Sequence, residues 1–476
     1  MKPTRLKSFI FIIGLIAVTG VAMAYSTGAG KTWLSGMFRP ATHPHQEASN
    51  PVSLGGQLVQ NKVLQGSSGH VNLSLTLAAT DVFDSDTAVQ HNVDMVIVLD
   101  RSGSMKGRKI TDARQAVSGL LSTLTAKDRL ALVTYADGVQ QISNLKPVSV
   151  AHQQQLARRI AGITAGGGTN LGAGLQTGID VLLSSEEIGN ARKLVLISDG
   201  LANKGITDAA QLGAMAGIAV EKEFAVSTVG VGNDFNEQLM TTIADRGAGN
   251  YYYLQNPMAF SEVFQKEFLY AQTTVASNVS IWFPLHNGLS LIDAAGYPII
   301  RQKDFAVFYP GNLRSGQTRK LFLTVQVPTH NKARFEIGHI KARYRFNGQS
   351  LETVLAESFK LACVENKKEV QASIDKSSWA EKVIQEDYNR LKQEVAADVK
   401  AGKKQTALKR IQRYYQEQES INATVGSAEV RQNLDRDLTN LRQRVEDTFT
   451  GEPATVTRKQ KASSKALQYE GYRGRR

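Results

Sequence analysis

Asp100, Ser102 and Ser104 alternate in the run Asp100-Arg101-Ser102-Gly103-Ser104, and Thr169 and Asp199 follow far downstream. Two carboxylates and three hydroxyls are hard oxygen donors. Mg²⁺ takes about six such oxygens in near-octahedral geometry at ~2.0–2.1 Å and parts with its waters reluctantly. The five side chains therefore suit one small divalent ion. Asp100 and Asp199 would supply negative charge, directly or through water, and a coordination position would stay open to an outside ligand. Each piece lies where a buried element runs out into a loop: MVIVLD into RSGSM, a helix into AGGGTN, and KLVLIS into DGLANKG. Ligand sites of open α/β sheets sit at such strand ends. The plainer reading is that the aspartates cap turns and the serines are ordinary turn residues. Arg101, Lys106 and Arg108 surround the first loop, either as solvated surface or as a field that favours an acidic ligand.

Catalytic readings of the same residues fail on detail. A phosphatase of the haloacid type needs Asp-x-Asp after the strand, and Ser102 occupies the second acidic position. The sequence holds no Gly-x-Ser-x-Gly elbow and no His-Glu-x-x-His zinc motif. Its eight histidines are scattered, with His43 and His45 the one close pair. Gly28-Ala29-Gly30-Lys31-Thr32 imitates a phosphate loop, but Tyr25 stands where the first glycine belongs and no buried strand leads into it.

Asp-x-Ser-x-Ser with a separate Thr and a separate Asp resembles the metal-ion-dependent adhesion site of the von Willebrand factor type A (VWA) family, and residues 94–270 carry the resemblance. Within that family the layout is most similar to bacterial secreted VWA proteins and the inter-alpha-trypsin-inhibitor heavy-chain group. The resemblance implies a non-enzymatic adhesion or scaffolding protein. Mg²⁺ or Mn²⁺, with Ca²⁺ also compatible, would be held by Asp100, Ser102, Ser104, Thr169 and Asp199, and an Asp or Glu of a protein partner would complete its coordination. It also implies that the last helix of the domain, here residues 256–270, shifts with the metal site. Two rival classes remain: a metal-dependent hydrolase, which needs a base near the ion, and a structural envelope protein whose metal site is non-functional.

The elements around these residues follow from hydrophobic period. Apolar strands at 95–99, 130–135, 194–197, 225–229 and 251–254 alternate with helices at 110–124, 151–163, 171–183, 209–222 and 237–244. Such alternation predicts an α/β domain at 91–270, a doubly wound, mostly parallel sheet with right-handed crossovers. Residues 139–142 are expected to add an antiparallel edge strand. Gly166, Gly167 and Gly168 are expected to bring the backbone of Thr169 close to the ion.

On either side the pattern changes. Val71, Leu73, Leu75 and Leu77 alternate with polar residues, the two-residue period of a half-buried strand. Strand character returns at 278–283, 306–309, 321–327, 337–346 and 354–361, punctuated by Asn287-Gly288, Pro310-Gly311 and Asn347-Gly348. A β-sandwich at 271–365 is one strand or more short by itself. Residues 52–90 are therefore predicted to complete it, leaving the α/β domain inserted. From 366 to 450 Trp379, Val383, Asp387, Leu391 and Val395 recur at four-residue steps, and Gly402 and Gly426 mark breaks. An α-helical hairpin or coiled coil is expected there.

Lys2, Arg5 and Lys7, the apolar stretch 9–21 and Ala22-Met23-Ala24 make 1–24 a secretory signal peptide by composition. The alternative is an uncleaved anchor, since about 17 apolar residues approach a thin bilayer span. Residues 25–51 form a linker by composition, and the protein is expected in the periplasm or outside the cell. Cys363 is the one cysteine, so no intramolecular disulfide can form. The formal charge of +13 is concentrated at the ends. Within 451–476, from Pro453 to the end, Arg458, Lys459, Lys461, Lys465, Arg473, Arg475 and Arg476 face Glu470 alone. That segment is read as a basic disordered tail able to touch the envelope surface. Export argues against nucleic acid as a partner.

Overall fold

The computed structural model describes residues 50–81, 91–184 and 190–475. The predicted signal peptide, nearly all of the linker and the imitation phosphate loop lie outside them. Val93–Asp100 is buried along its whole length, as the apolar run 95–99 requires, and its buried Asp94 pairs with Arg129. It lies inside a six-stranded sheet, ordered Val139–Pro147, Arg129–Tyr135, Val93–Asp100, Ala191–Ser198, Phe224–Val231, Ala248–Leu254. All neighbours are parallel except the first pair, where the edge strand, longer than the expected 139–142, turns back antiparallel.

Alternate residues of the central strand serve opposite cores. Met95, Ile97 and Leu99 pack with Ile110, Val117 and Leu120 of helix Arg108–Thr123 and with Phe260 and Phe264 of helix Phe260–Gln272. Val96 and Val98 pack with Leu175 and Ile179 of helix Leu171–Leu183 and with Leu212 and Leu239 from the next two helices. Each fully buried side chain of this size contributes about 1.5–3 kcal/mol. The helix Leu171–Leu183 lies very close to the sheet: a Cβ on Gly178 would come 2.5 Å from Val98 Cγ2. The fold is the doubly wound α/β sheet expected from the alternation.

The chain enters and leaves this domain through one β-structure. His70–Ala79 pairs on one side with Val52–Leu58 and on the other with Thr318–Gln326, so strands before and after the α/β domain share a sheet. Its inner face, including Leu73, Leu75, Leu77, Leu321 and Leu323, packs against Ile281, Phe283 and Phe308 of a second sheet. Two expected strands are divided. His339, at φ 55°, breaks 337–346 into Arg334–Ile337 and Lys341–Phe346, which join different sheets. The run 354–361 spans a turn between Gln349–Val354 and Phe359–Val364. Strand Ser290–Ala294 was not expected; its pairing shifts register between Leu291 and Asp293, which hides the alternation. Cys363 is buried and unpaired.

The helical region packs on itself through Trp379, Val383, Leu391 and Val395, which meet Ile411, Tyr414, Leu438, Leu441 and Val445. Steps of four drift around a helix of 3.6 residues per turn. A π-helical segment, Val383–Asp387, takes up the difference, and Asp387 pairs with Lys382 at 2.5 Å. Gly402 and Gly426 both adopt positive φ and both separate helices.

The predicted disordered tail is a correction: Pro453–Gly474 is a helix of 22 residues. Ser464, Leu467, Gly471 and Tyr472 are buried on one face, a helical spacing that a count of basic residues does not register. Their neighbours are paired. Lys465, itself buried, donates to Glu237 Oε2 at 2.8 Å and to the Phe235 carbonyl at 2.6 Å. Glu470 meets Arg444, and Arg475 meets Glu386. Among the described residues no helix is long and apolar enough to cross a membrane.

Candidate metal centre

Three loops meet at the carboxyl ends of the central strands. Main-chain bonds stitch them together: Gly103 N to Gly167 O at 2.9 Å, Gly166 N to Arg101 O at 2.8 Å, and Asn203 N to Thr169 O at 3.1 Å. Asp100 ends its strand fully buried. Its Oδ1 accepts from the Ser102 amide at 2.7 Å and its Oδ2 from Ser198 Oγ at 3.0 Å. Ser102 Oγ and Ser104 Oγ lie 3.0 Å apart. Ser104 Oγ donates to Asp199 Oδ1 at 2.7 Å. A Cβ on Gly200 would lie 3.2 Å from Ser104 Oγ and 3.7 Å from Thr169 Oγ1, so the two hydroxyls flank one point above Gly200. The five residues singled out by sequence are thus brought to one place.

Burial pushes the Asp100 carboxyl up to about 6, the charge of Asp199 adding to the rise and hydrogen bonds from Ser102 and Ser198 opposing it. Burial, together with the Asp100 charge, also holds the Tyr135 phenol well above its ordinary value. That phenol donates to the Ile197 carbonyl at 2.7 Å. Two buried carboxylates this close repel each other, and a cation between them lowers that cost. The structure supplies one cation to Asp199 from within. Lys109, in the first turn of helix Arg108–Thr123, reaches Asp199 Oδ2 at 2.5 Å, with Asp199 fully buried.

Sequence reading missed Lys109. It noted Arg101, Lys106 and Arg108, yet Lys106 and Arg108 are exposed, while the cation that faces the centre stands one residue further on. Ser198 was also missed, although it adjoins Asp199. The glycine run also makes a close approach to Asp137. A Cβ on Gly167, at φ 85°, would come 2.4 Å from Asp137 Oδ2, and the Gly168 amide donates to Asp137 Oδ1 at 2.9 Å.

Among the described residues no group of three or more His, Cys, Asp and Glu side chains gathers as a metal site. The donors here are hydroxyls and two carboxylates, a set that fits hard ions such as Mg²⁺ and not thiolate- or imidazole-seeking ones.

Residues 94–266 match the family model of the von Willebrand factor type A domain. This chain carries a VWA domain. Its sequence relatives include an uncharacterized Escherichia coli protein, YfbK, 31% identical over 212 residues, 44% of this chain and 36% of that protein. Inter-alpha-trypsin inhibitor heavy chain H1 of Sus scrofa is 30% identical over 149 residues, 30% of this chain and 16% of its own length. The match therefore spans little more than a third of the first and less of the second. Among solved structures, a von Willebrand factor type A protein from Catenulispora acidiphila has a TM-score of 0.66 at 17% identity, over 90% of this chain and 98% of that one. The ArnB paralog VWA2 from Sulfolobus acidocaldarius has a TM-score of 0.54 at 17% identity, over 88% and 99%. At such identity the likeness bears on fold alone. It extends well beyond the VWA domain.

Proposed function

We propose that this chain is an exported, non-enzymatic protein-binding protein of the adhesion or scaffolding kind. Asp100, Ser102, Ser104, Thr169 and Asp199 hold a divalent ion, Mg²⁺ or Mn²⁺ with Ca²⁺ compatible, and a protein partner offers an Asp or Glu carboxylate to it. The observation that carries the reading is the convergence of Ser102 Oγ, Ser104 Oγ and Asp199 Oδ1 in one chain of contacts of 3.0 and 2.7 Å. When bound, the ion would supply an electrophilic position for an outside carboxylate. The residues do the rest: Ser198 and the Ser102 amide hold Asp100 in place, and Asn203 Oδ1 accepts from the Thr169 backbone amide at 2.9 Å.

The test is affinity capture from envelope extracts on wild-type protein and Asp100→Ala, in Mg²⁺ and in EDTA. A partner retained only by wild type in Mg²⁺ supports the reading. Identical partner lists in all four conditions would sink it, and turnover of a hydrolase substrate lost in Asp100→Ala would replace it with an enzymatic one.

A further inference from the structure

A cleft of ≈ 740 Å³ opens at the other end of the VWA sheet, between the first residues of Ala191–Ser198, the β-structure and the C-terminal helix. Strand rise places it about 20 Å from Asp199, so it is separate from the metal centre. Its volume is that of a small-molecule site. Its lining is strongly cationic. Arg192, Lys266, Arg314 and Arg473 all line it, and none of the four has a carboxylate partner among the described residues. Arg192 instead donates to the Lys222 carbonyl. The Arg314 guanidinium sits 3.9 Å from the centre of the Tyr270 ring, and Lys266 Nζ sits 5.5 Å from it. Glu223, the one acid in the lining, is already engaged with Arg345.

Three further observations mark the cleft as built. Arg345 Nε is buried with no hydrogen-bond partner, and so is the hydroxyl of Tyr251, which lines the same cleft. Glu223 and Ala248, on its rim, hold φ of 66° and 51°, a left-handed conformation costly for non-glycine residues and concentrated at functional sites. Four like charges lining a cleft whose one acid is already engaged also repel one another, a cost that a bound anion lowers.

The geometry points to a binding site for a phosphate-bearing small molecule. A phosphate group carries about −1.5 to −2 charge and three acceptor oxygens, and guanidinium forks match it in shape and charge. The tyrosine rings beside the cations give an organic portion a surface to lie on.

Isothermal titration of the full chain with pyrophosphate, in EDTA and at constant ionic strength, tests this directly. Saturable binding is expected, weakened about tenfold by Arg314→Ala or by Arg473→Ala and unchanged in Asp100→Ala. Arg473 is exposed, so its variant tests the site without disturbing a core. Citrate at equal concentration is expected to bind more weakly. Absence of saturable binding, binding unaffected by both arginine variants, loss of binding in Asp100→Ala, or citrate binding as tightly as pyrophosphate would each overturn the assignment.

Discussion

The two ends of the VWA sheet carry opposite charge, and a single strand shows it. Ala191–Ser198 begins with Arg192 and Lys193 and leads directly into Asp199. At its carboxyl end hydroxyls meet two buried carboxylates, one of which, Asp199, pairs with Lys109. At its amino end cations without acidic partners line a cleft, and one cation, Lys193, is neutralised by a buried acid, Glu267, at 2.7 Å. The acidic end suits a metal ion and the basic end an anion. Each end holds a buried counter-charge, Lys109 against Asp199 at one and Glu267 against Lys193 at the other, and the two can be removed separately.

The largest expected effect is at the basic end. Glu267 is wholly buried and accepts from Ser227 at 2.6 Å, Asn250 at 2.7 Å and Tyr252 at 2.5 Å as well as pairing with Lys193. Glu267→Gln leaves Lys193 buried without its counter-ion, which costs about 3–5 kcal/mol. Denaturant unfolding checks the figure, and Lys193→Met in the same chain should recover part of it. The same pair predicts an acid response. Burial alone would raise the Glu267 carboxyl, but Lys193 and the hydrogen bonds hold it below the usual range. A carboxyl lowered by folding contributes stability that is present above its unfolded pKa of about 4.3 and is lost as pH falls through the folded value. Wild type should therefore lose melting temperature below about pH 4.3 more steeply than the Glu267→Gln, Lys193→Met double variant. Equal slopes would assign the acid response to other carboxylates.

The ends also differ in how far sequence revealed them. At the acidic end Asp100, Ser102 and Ser104 lie in five consecutive residues, and Thr169 and Asp199 each follow a recognisable element, so strand-end position together with the resemblance to the VWA family marks them. The basic cleft draws Arg192, Lys266, Arg314 and Arg473 from four distant segments, and no local pattern distinguishes them from solvated surface. Lys109 escaped for a related reason: its neighbours Lys106 and Arg108 have the same composition but point outward, and helical phase decides which of them faces Asp199. The sheet and its helices were legible because period 2 and period 3.6 separate cleanly there. The break at His339 and the docking of Pro453–Gly474 were not, since both depend on partners far away in sequence. A basic segment reads as solvated until Glu237, Phe235 and Asp245 are brought beside it.

At the acidic end the expected effect on metal binding comes next in size. An ion present at 100 times its Kd stabilises a folded protein by about 2.7 kcal/mol. Mg²⁺ should raise the melting temperature of wild type accordingly, EDTA should reverse the rise, and Asp100→Ala should abolish it. An equal rise in Asp100→Ala would move the metal away from these residues. Thr169→Val keeps the shape and removes one neutral donor, so a partial loss is expected, smaller than that of Asp100→Ala. Measured side by side, the two variants separate charge from coordination at this end.

The smallest effect, and the sharpest contrast with Glu267, concerns Lys109. Its ammonium satisfies Asp199 through the atom opposite the one that accepts from Ser104, so an incoming divalent ion meets a carboxylate already partly neutralised. In Lys109→Met that competitor is gone. Two opposed results should appear together: a lower melting temperature without metal, because Asp199 is left buried with no cation, and Mg²⁺ affinity raised about tenfold, or 1.4 kcal/mol. Loss of both stability and affinity would make Lys109 a support for the metal centre; only a trade of one for the other makes it a stand-in for the ion. Removing the counter-charge at the basic end acts differently, because Glu267 lies outside the cleft lining and neutralises Lys193, which is part of that lining. Glu267→Gln should therefore weaken the fold and, by freeing a lysine in the cleft wall, raise pyrophosphate affinity, measured on the folded fraction, about threefold, a difference of about 0.65 kcal/mol.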